Sequence, residues 1–279
     1  MPKIGDTLSL EIFTELEQGS DEWLAARCGI PTASVIGQLV TSRQPTAIET
    51  DCPECGALTA EPCIGKRSPA PLKTLHPARA AAARELDRVI GADTNSDTAR
   101  ALVLTLVAER ITGHVEPMQV SGPMLRGQLD EPFARDAYSE HHAPVDQIGF
   151  MIRDFGKYRI GYSPDGLVGA DGLIEIKSRA QKKHLQTILA DEVPAENMAQ
   201  MQAGLLVSGR AWCDYVSFCS GMPLWTKRVL PDERWHDAIT DAALTFEVNA
   251  AEMLARYAES TKGLPDTERL YHFAELEIF

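Results

Sequence analysis

The stretch from Ser163 to Lys177, Ser-Pro-Asp-Gly-Leu-Val-Gly-Ala-Asp-Gly-Leu-Ile-Glu-Ile-Lys, constrains the fold more than any other part of the chain. Gly169-Ala170-Asp171-Gly172 is a run of turn formers, and Asp-Gly is a strong hairpin signal. The chain is therefore expected to reverse there, with Asp165 on a first strand beside Glu175 and Lys177 on a second. Strand side chains alternate faces, so Glu175 and Lys177 project together from one edge of a sheet while Ile174 and Ile176 point the other way into a core. Two carboxylates and an ammonium converging in this way suit a hard divalent cation, Mg²⁺ or Mn²⁺, which takes few protein oxygens and keeps waters for substrate phosphates. Glu-x-Lys alone would read as a solvated surface pair. Its spacing from the Ser-Pro-Asp-Gly turn is what singles it out.

Around this hairpin, helical and extended patterns alternate. A strand over 8–16 precedes a helix capped by Ser20 or Asp21 and ended by Gly29. Thr32-Ala33-Ser34 is expected to open a second helix running through Val35, Ile36, Leu39 and Val40. Helices follow from near Asp97, from 122 to 141 and over 195–209, with strands at 148–154, 157–162, 166–168, 173–177 and 212–219. Trp235, Ile239, Ala242, Phe246, Ala250, Met253 and Tyr257 recur at helical spacing and mark a long amphipathic helix near the C-terminus. Helices flanking a block of strands give an α/β or α+β class with a central mixed sheet.

Residues 43–92 interrupt this pattern with Pro, Cys, Ala and turn formers. Within them, Cys52-Pro-Glu-Cys55, Cys63 and His76 give the spacing C-x2-C-x7-C-x12-H. Three thiolates and an imidazole so placed suit a tetrahedral, structural Zn²⁺, and a small turn-rich segment without its own core needs such a staple. The expected organisation is one domain from 1–42 and 93–279 with a zinc-binding insert at 43–92. Cys28, Cys213 and Cys219 read as buried or neutral thiols.

The chain of 279 residues carries 27 Lys and Arg against 40 Asp and Glu, a net of −13. Such acidity sits awkwardly with nucleic-acid binding, which favours a positive surface. It is unevenly spread, however: 231–279 holds eleven acidic and four basic residues, whereas 52–88 holds four acidic and six basic. No apolar run reaches membrane-span length and no signal-peptide pattern opens the chain, so a soluble, intracellular protein with no membrane partner is expected.

Several ordered segments together resemble the YqaJ-like viral recombinase, or lambda-exonuclease, family of PD-(D/E)xK nucleases. These are Gly19-Ser-Asp-Glu-Trp-Leu-Ala-Ala-Arg27 through Ser34, Gly127-Gln-Leu-Asp-Glu131-Pro132, Ser163-Pro-Asp-Gly, Glu175-Ile-Lys177-Ser, and Gln200-Met-Gln202 followed by Gly209 to Ser217. The likeness spans roughly 10–42 and 95–230 and implies a restriction-endonuclease-like core. It implies Mg²⁺ held by Asp165, Glu175, the backbone carbonyl of Ile176 and Glu131. Lys177 would orient and help deprotonate the attacking water, with Gln200 positioning it. Arg27, Ser34 and Ser163 would hold a terminal 5′-phosphate, since a guanidinium grips phosphate bidentately and hydroxyls donate to its oxygens. Trp23 reads as core.

The resemblance further implies 5′-to-3′ degradation of double-stranded DNA ends to 5′-mononucleotides, which leaves 3′ single strands for phage recombination. It also implies a homotrimeric ring and a phage single-strand annealing protein as partner. Lys182, Lys183 and His184 are candidates to line such a ring. The 52–84 segment resembles a short phage zinc-finger module, whose Lys66, Arg67, Lys73, Arg79 and Arg84 are candidate DNA contacts. Two other readings remain: an iron–sulfur nuclease of the same superfamily, and a non-catalytic zinc-dependent binder of DNA ends. The first expects one cysteine well before the core and three after it, whereas the cluster here lies wholly upstream and includes a histidine. The second has no use for an intact set of Glu131, Asp165, Glu175 and Lys177.

Overall fold

A computed structural model describes residues 9–65, 68–116 and 120–269. In chain order, β1 (Ser9–Phe13) leads into α1 (Asp21–Arg27), whose first turn is capped by the Ser20 hydroxyl accepting from the Trp23 amide at 3.2 Å. A short α2 (Ala33–Ile36) is followed by β2 (Val40–Arg43). The second helix is thus one turn long and Val40 already belongs to a strand, contrary to the sequence expectation. The β-branched Val40 and Thr41 pair with β5 (Val89–Ala92), across the segment that holds β3 (Ile64–Gly65), β4 (Ser68–Pro71) and α3 (Pro77–Arg84). The β2–β5 ribbon therefore draws together the two ends of the cysteine-bearing segment.

Next come α4 (Asp97–Thr112), capped by Ser96, and α5 (Gly122–His141), capped by Ser121 and running straight through Pro132. β6 (Phe150–Asp154) and β7 (Arg159–Tyr162) join β1 in an antiparallel sheet of order β1-β6-β7. β8 (Gly166–Val168) and β9 (Gly172–Ser178) form the expected hairpin, with Val168 opposite Gly172 and Gly166 opposite Ile174. After α6 (Gln181–Ala190) and α7 (Ala195–Ser208), β10 (Trp212–Phe218) returns parallel to β9, and β11 (Trp225–Val229) pairs antiparallel with β10. The second sheet is therefore mixed, in the order β11-β10-β9-β8. α8 (Glu233–Ser260) closes the described fold.

This order corrects one expectation. The Glu175–Lys177 strand is not an edge but an interior strand, because the α6–α7 crossover brings β10 alongside it. Both of its faces are consequently covered. Ile174 and Ile176 pack under α5 with Ala134, Tyr138, Val168 and Val216, whereas Leu173 joins Cys213 and Tyr215 in the main core beneath α7. Burying each of these aliphatic side chains contributes about 1.5–3 kcal/mol, so the hairpin is firmly anchored on both sides. α7 can lie close on β7 because residue 204 is glycine: a Cβ there would meet the Tyr162 ring at 2.7 Å. Trp23, Ile30, Phe150 and Ile152 form a separate cluster that fastens α1 to the first sheet.

Candidate active site and cysteine–histidine cluster

The β8–β9 hairpin delivers its charged residues to the mouth of a cleft of about 440 Å³ lined by residues from α1, α2, α5, β7, β9 and α7. Asp165, just before β8, turns a carboxylate oxygen onto the backbone amide of Ile176 at 2.6 Å. Glu175 lies wholly buried behind the cleft wall. One of its oxygens accepts from the Lys177 ammonium at 2.5 Å, and the same ammonium donates to Gln200 Oε1 of α7 at 3.1 Å. Glu131 of α5 faces the cleft and is bound by Arg135 one turn later, which also donates to the Asp165 carbonyl at 2.9 Å. Lys177, Glu131, Asp165 and Gln200 all line this cleft together with Ile176, so three segments far apart in sequence, α5, the hairpin and α7, meet at one place.

The electrostatics follow from three carboxylates in a poorly hydrated corner. Burial, reinforced by the nearby Asp165, raises Glu175 to about 7 against the pull of Lys177. Burial also raises Asp165, although Lys177 and the Ile176 amide oppose it. Glu131 is raised by burial and by the charge of Asp165, with Arg135 acting against both. Burial alone would lower Lys177, but Glu175 and Asp165 outweigh it and hold the ammonium above its usual range. The second oxygen of Glu175 is buried without a hydrogen-bond partner among the described residues. A buried, unpartnered carboxylate oxygen beside two further carboxylates is a donor set that fits a hard divalent cation.

The same cleft holds the three residues expected to bind phosphate. Arg27 lies over the Trp23 ring at 4.3 Å and donates to Thr32 Oγ1 at 3.3 Å. Thr32 and Ser34 share a hydroxyl–hydroxyl bond of 3.1 Å, and Ser163 accepts from the Trp23 indole at 2.9 Å. Burial pushes the Arg27 guanidinium down, while the charge of Glu109 pulls it back up. Trp23 is buried as expected, and it also holds Ser163 in place across the sheet. Thr32 was not singled out by the sequence. Its only signal was its position between two expected phosphate ligands.

Cys52, Cys55, Cys63 and His76 place one donor atom each within 4.8 Å of one another, a group that could hold a metal ion. The amides of Ile64 and Ala57 draw the Cys55 thiol down to about 6, which favours the thiolate that a metal needs. Arg79, expected as a DNA contact, is fully buried instead. Its guanidinium donates at 2.7 Å to each of the Thr50, Glu61 and Leu58 carbonyls and lies 3.6 Å from Cys63 Sγ. It serves as an internal clip for the loops around the thiols. His184, expected to line a channel, is likewise buried between Ser217 Oγ at 2.8 Å and the Pro223 carbonyl at 2.9 Å. Lys182 and Lys183 are exposed on α6, as are Lys73 and Arg84 near α3, whereas Lys66 and Arg67 lie outside the described residues.

Residues 76–211 match the family model of the YqaJ-like viral recombinase domain, and residues 18–95 match that of a putative DNA-binding phage zinc finger domain. A search of curated proteins finds no match. Among solved structures, the chain resembles an alkaline exonuclease from Laribacter hongkongensis at 24% identity, over 88% of this chain and 100% of that one, with a TM-score of 0.62. The same enzyme in complex with dAMP gives the same figures. A phage-related exonuclease from Haemophilus somnus is similar at 12% identity, over 57% of this chain and 85% of that one, with a TM-score of 0.41. The first two likenesses agree with the mixed α/β fold described above.

Proposed function

We propose that this chain, whose residues 76–211 are a YqaJ-like viral recombinase domain, is a Mg²⁺-dependent exonuclease that degrades duplex DNA from a 5′ end. The observation that carries the reading is the Lys177 ammonium held between Glu175 and Gln200 in a cleft shared with Arg27, Ser34 and Ser163. One end of that cleft has the charge for a phosphodiester in reaction, the other has the donors for a phosphate at rest.

Asp165, Glu175, the Ile176 carbonyl and Glu131 would hold the metal, Mg²⁺ or Mn²⁺. When bound, such an ion acts as a Lewis acid on the scissile phosphate and neutralises charge that builds on its oxygens. The remaining chemistry belongs to the chain. Lys177, fixed by two acceptors, orients the attacking water, and its positive charge stabilises the negative charge developing on the phosphate oxygens. Gln200 limits the reach of that ammonium and keeps it aimed at the water. Arg27, Ser34 and Ser163 grip the terminal 5′-phosphate, so each cut regenerates the group that anchors the next. The products are 5′-mononucleotides and a 3′ single strand, the form that a phage annealing protein takes up for recombination. The dAMP complex of the structurally similar enzyme accords with a mononucleotide product.

The acidity of the chain is reconciled with a DNA substrate by a ring-shaped homotrimer, in which only the inner lining needs to be positive. Cys52, Cys55, Cys63 and His76 would hold a structural Zn²⁺ within a module at 43–92. Incubation of linear duplex with wild type and Lys177→Ala in Mg²⁺ or EDTA tests the reading. Mononucleotide release by wild type in Mg²⁺ alone is expected; release that persists in EDTA, or a fully active Lys177→Ala, refutes it.

A further inference from the structure

The link between α1 and α2, Cys28 to Thr32, carries the phosphate-facing residues at its two ends and is gripped from behind by α4. Glu109 accepts from the Gly29 amide at 2.7 Å, and Arg110 Nε donates to the Gly29 carbonyl at 2.8 Å. Both polar groups of one peptide-chain residue are therefore taken by two successive side chains of a distant helix. Arg110 is in turn fixed by a bidentate pair with Glu247 of α8, 2.7 Å at each nitrogen, and lies over the Phe246 ring at 4.9 Å. Cys28 Sγ adds a contact of 3.3 Å to the Glu109 carbonyl. Residue 29 must be glycine for this: its φ is +67°, and a Cβ there would meet Arg110 Cγ at 2.4 Å. On its other side the link is tied to the first sheet by the Gly161 amide on the Pro31 carbonyl at 3.0 Å.

We propose that Glu109, Arg110 and Glu247 form a positioning clamp that sets the specificity of the Arg27–Ser34 pocket for a terminal phosphate, an inference that rests on the end-phosphate reading above. None of the three lines the cleft, so each acts through the link. Arg27 and Ser34 must converge on one small anion, and binding groups need placement within about 0.5 Å for such recognition. A five-residue connection with a left-handed glycine does not supply that stiffness by itself. A bidentate Arg–carboxylate pair that also holds the backbone does. Glu109 has a second effect, since its negative charge reaches Arg27 and favours the charged guanidinium against burial.

The test compares duplexes bearing 5′-phosphate or 5′-hydroxyl ends, using wild type, Arg110→Lys, Glu247→Gln, Arg27→Ala and the Arg27→Ala/Arg110→Lys double variant, each checked by thermal melting. Losing a charge-assisted bond is worth about 1.5–3 kcal/mol, or a fold-change of roughly 10 to 100. Arg110→Lys and Glu247→Gln are expected to lower the preference for 5′-phosphate ends by about that factor. The loss should fall on KM for phosphorylated ends, with kcat on 5′-hydroxyl duplex unchanged. The double variant should be no worse than Arg27→Ala, because both changes act on one pocket. Equal losses on both kinds of end, additive losses in the double variant, or an unchanged preference in Arg110→Lys and Glu247→Gln would overturn the clamp alone. A wild type indifferent to the terminal phosphate would instead remove the end-phosphate reading, and the clamp with it.

Discussion

In the proposed reaction, Lys177 is the residue on which the chemistry turns. It is partly buried on the cleft wall, with Glu175 Oε1 at 2.5 Å and Gln200 Oε1 at 3.1 Å as its acceptors. Lys177→Ala should lower kcat by about 10² to 10⁴, the usual contribution of one positioned proton-handling group, with binding of duplex ends retained in Ca²⁺. Gln200→Ala removes a bond to a charged group and should cost about 10- to 100-fold, chiefly in kcat. The hairpin part of this site could be read from the sequence because Asp165, Glu175 and Lys177 lie on adjoining strands of one turn. Burial could not. Arg79 lies in an alanine-rich helix and His184 follows two lysines, so both look like surface charges, but three-dimensional packing encloses both. Nor does local pattern reveal that the Trp23 indole holds Ser163, a bond between residues 140 apart.

Among the elements, the cysteine-bearing segment has the least core of its own: its apolar cluster consists of Cys52, Ala57 and Cys63 with Cys55 and Leu75 against it. So small a cluster cannot offset the backbone entropy of the loops around it, and a metal is the expected staple. Elemental analysis should find about one zinc per chain in wild type and none in a Cys55→Ser/Cys63→Ser variant. Arg79→Leu should destabilise this segment by at least about 3 kcal/mol, because it leaves the Thr50, Leu58 and Glu61 carbonyls without their donor. Limited proteolysis within 43–92, with the remainder intact, would detect it. The β2–β5 ribbon at the root of this segment was not foreseen, since Val40 continues the apolar spacing of α2 and reads as helix. Its partner strand lies some fifty residues away, and pairing at that range overrides the local pattern. By contrast, α8 was legible because its long apolar stripe, with Trp235, Ile239, Ala242, Phe246 and Ala250 buried, is a local signal.

At the scale of the whole molecule, the fold brings together on one cleft residues from near the N-terminus, from the middle of α5, from the hairpin and from α7. That convergence is what turns a cation site into an account of degradation from a DNA end. It also predicts how the two ends of the cleft divide their work: Arg27→Ala should reduce the preference for 5′-phosphorylated over 5′-hydroxyl duplex by roughly 10- to 100-fold, as for other lost charge-assisted bonds, and leave metal dependence unchanged. No described helix is long and apolar enough to cross a membrane. The most direct measurement follows the order of release from a 5′-phosphorylated linear duplex in Mg²⁺, labelled in parallel at its 5′-terminal or its 3′-terminal nucleotide. The 5′ label should appear first, as a mononucleotide, with the complementary strand left as a 3′ overhang. Earlier release of the 3′ label, or label appearing first in longer oligonucleotides, would contradict the account.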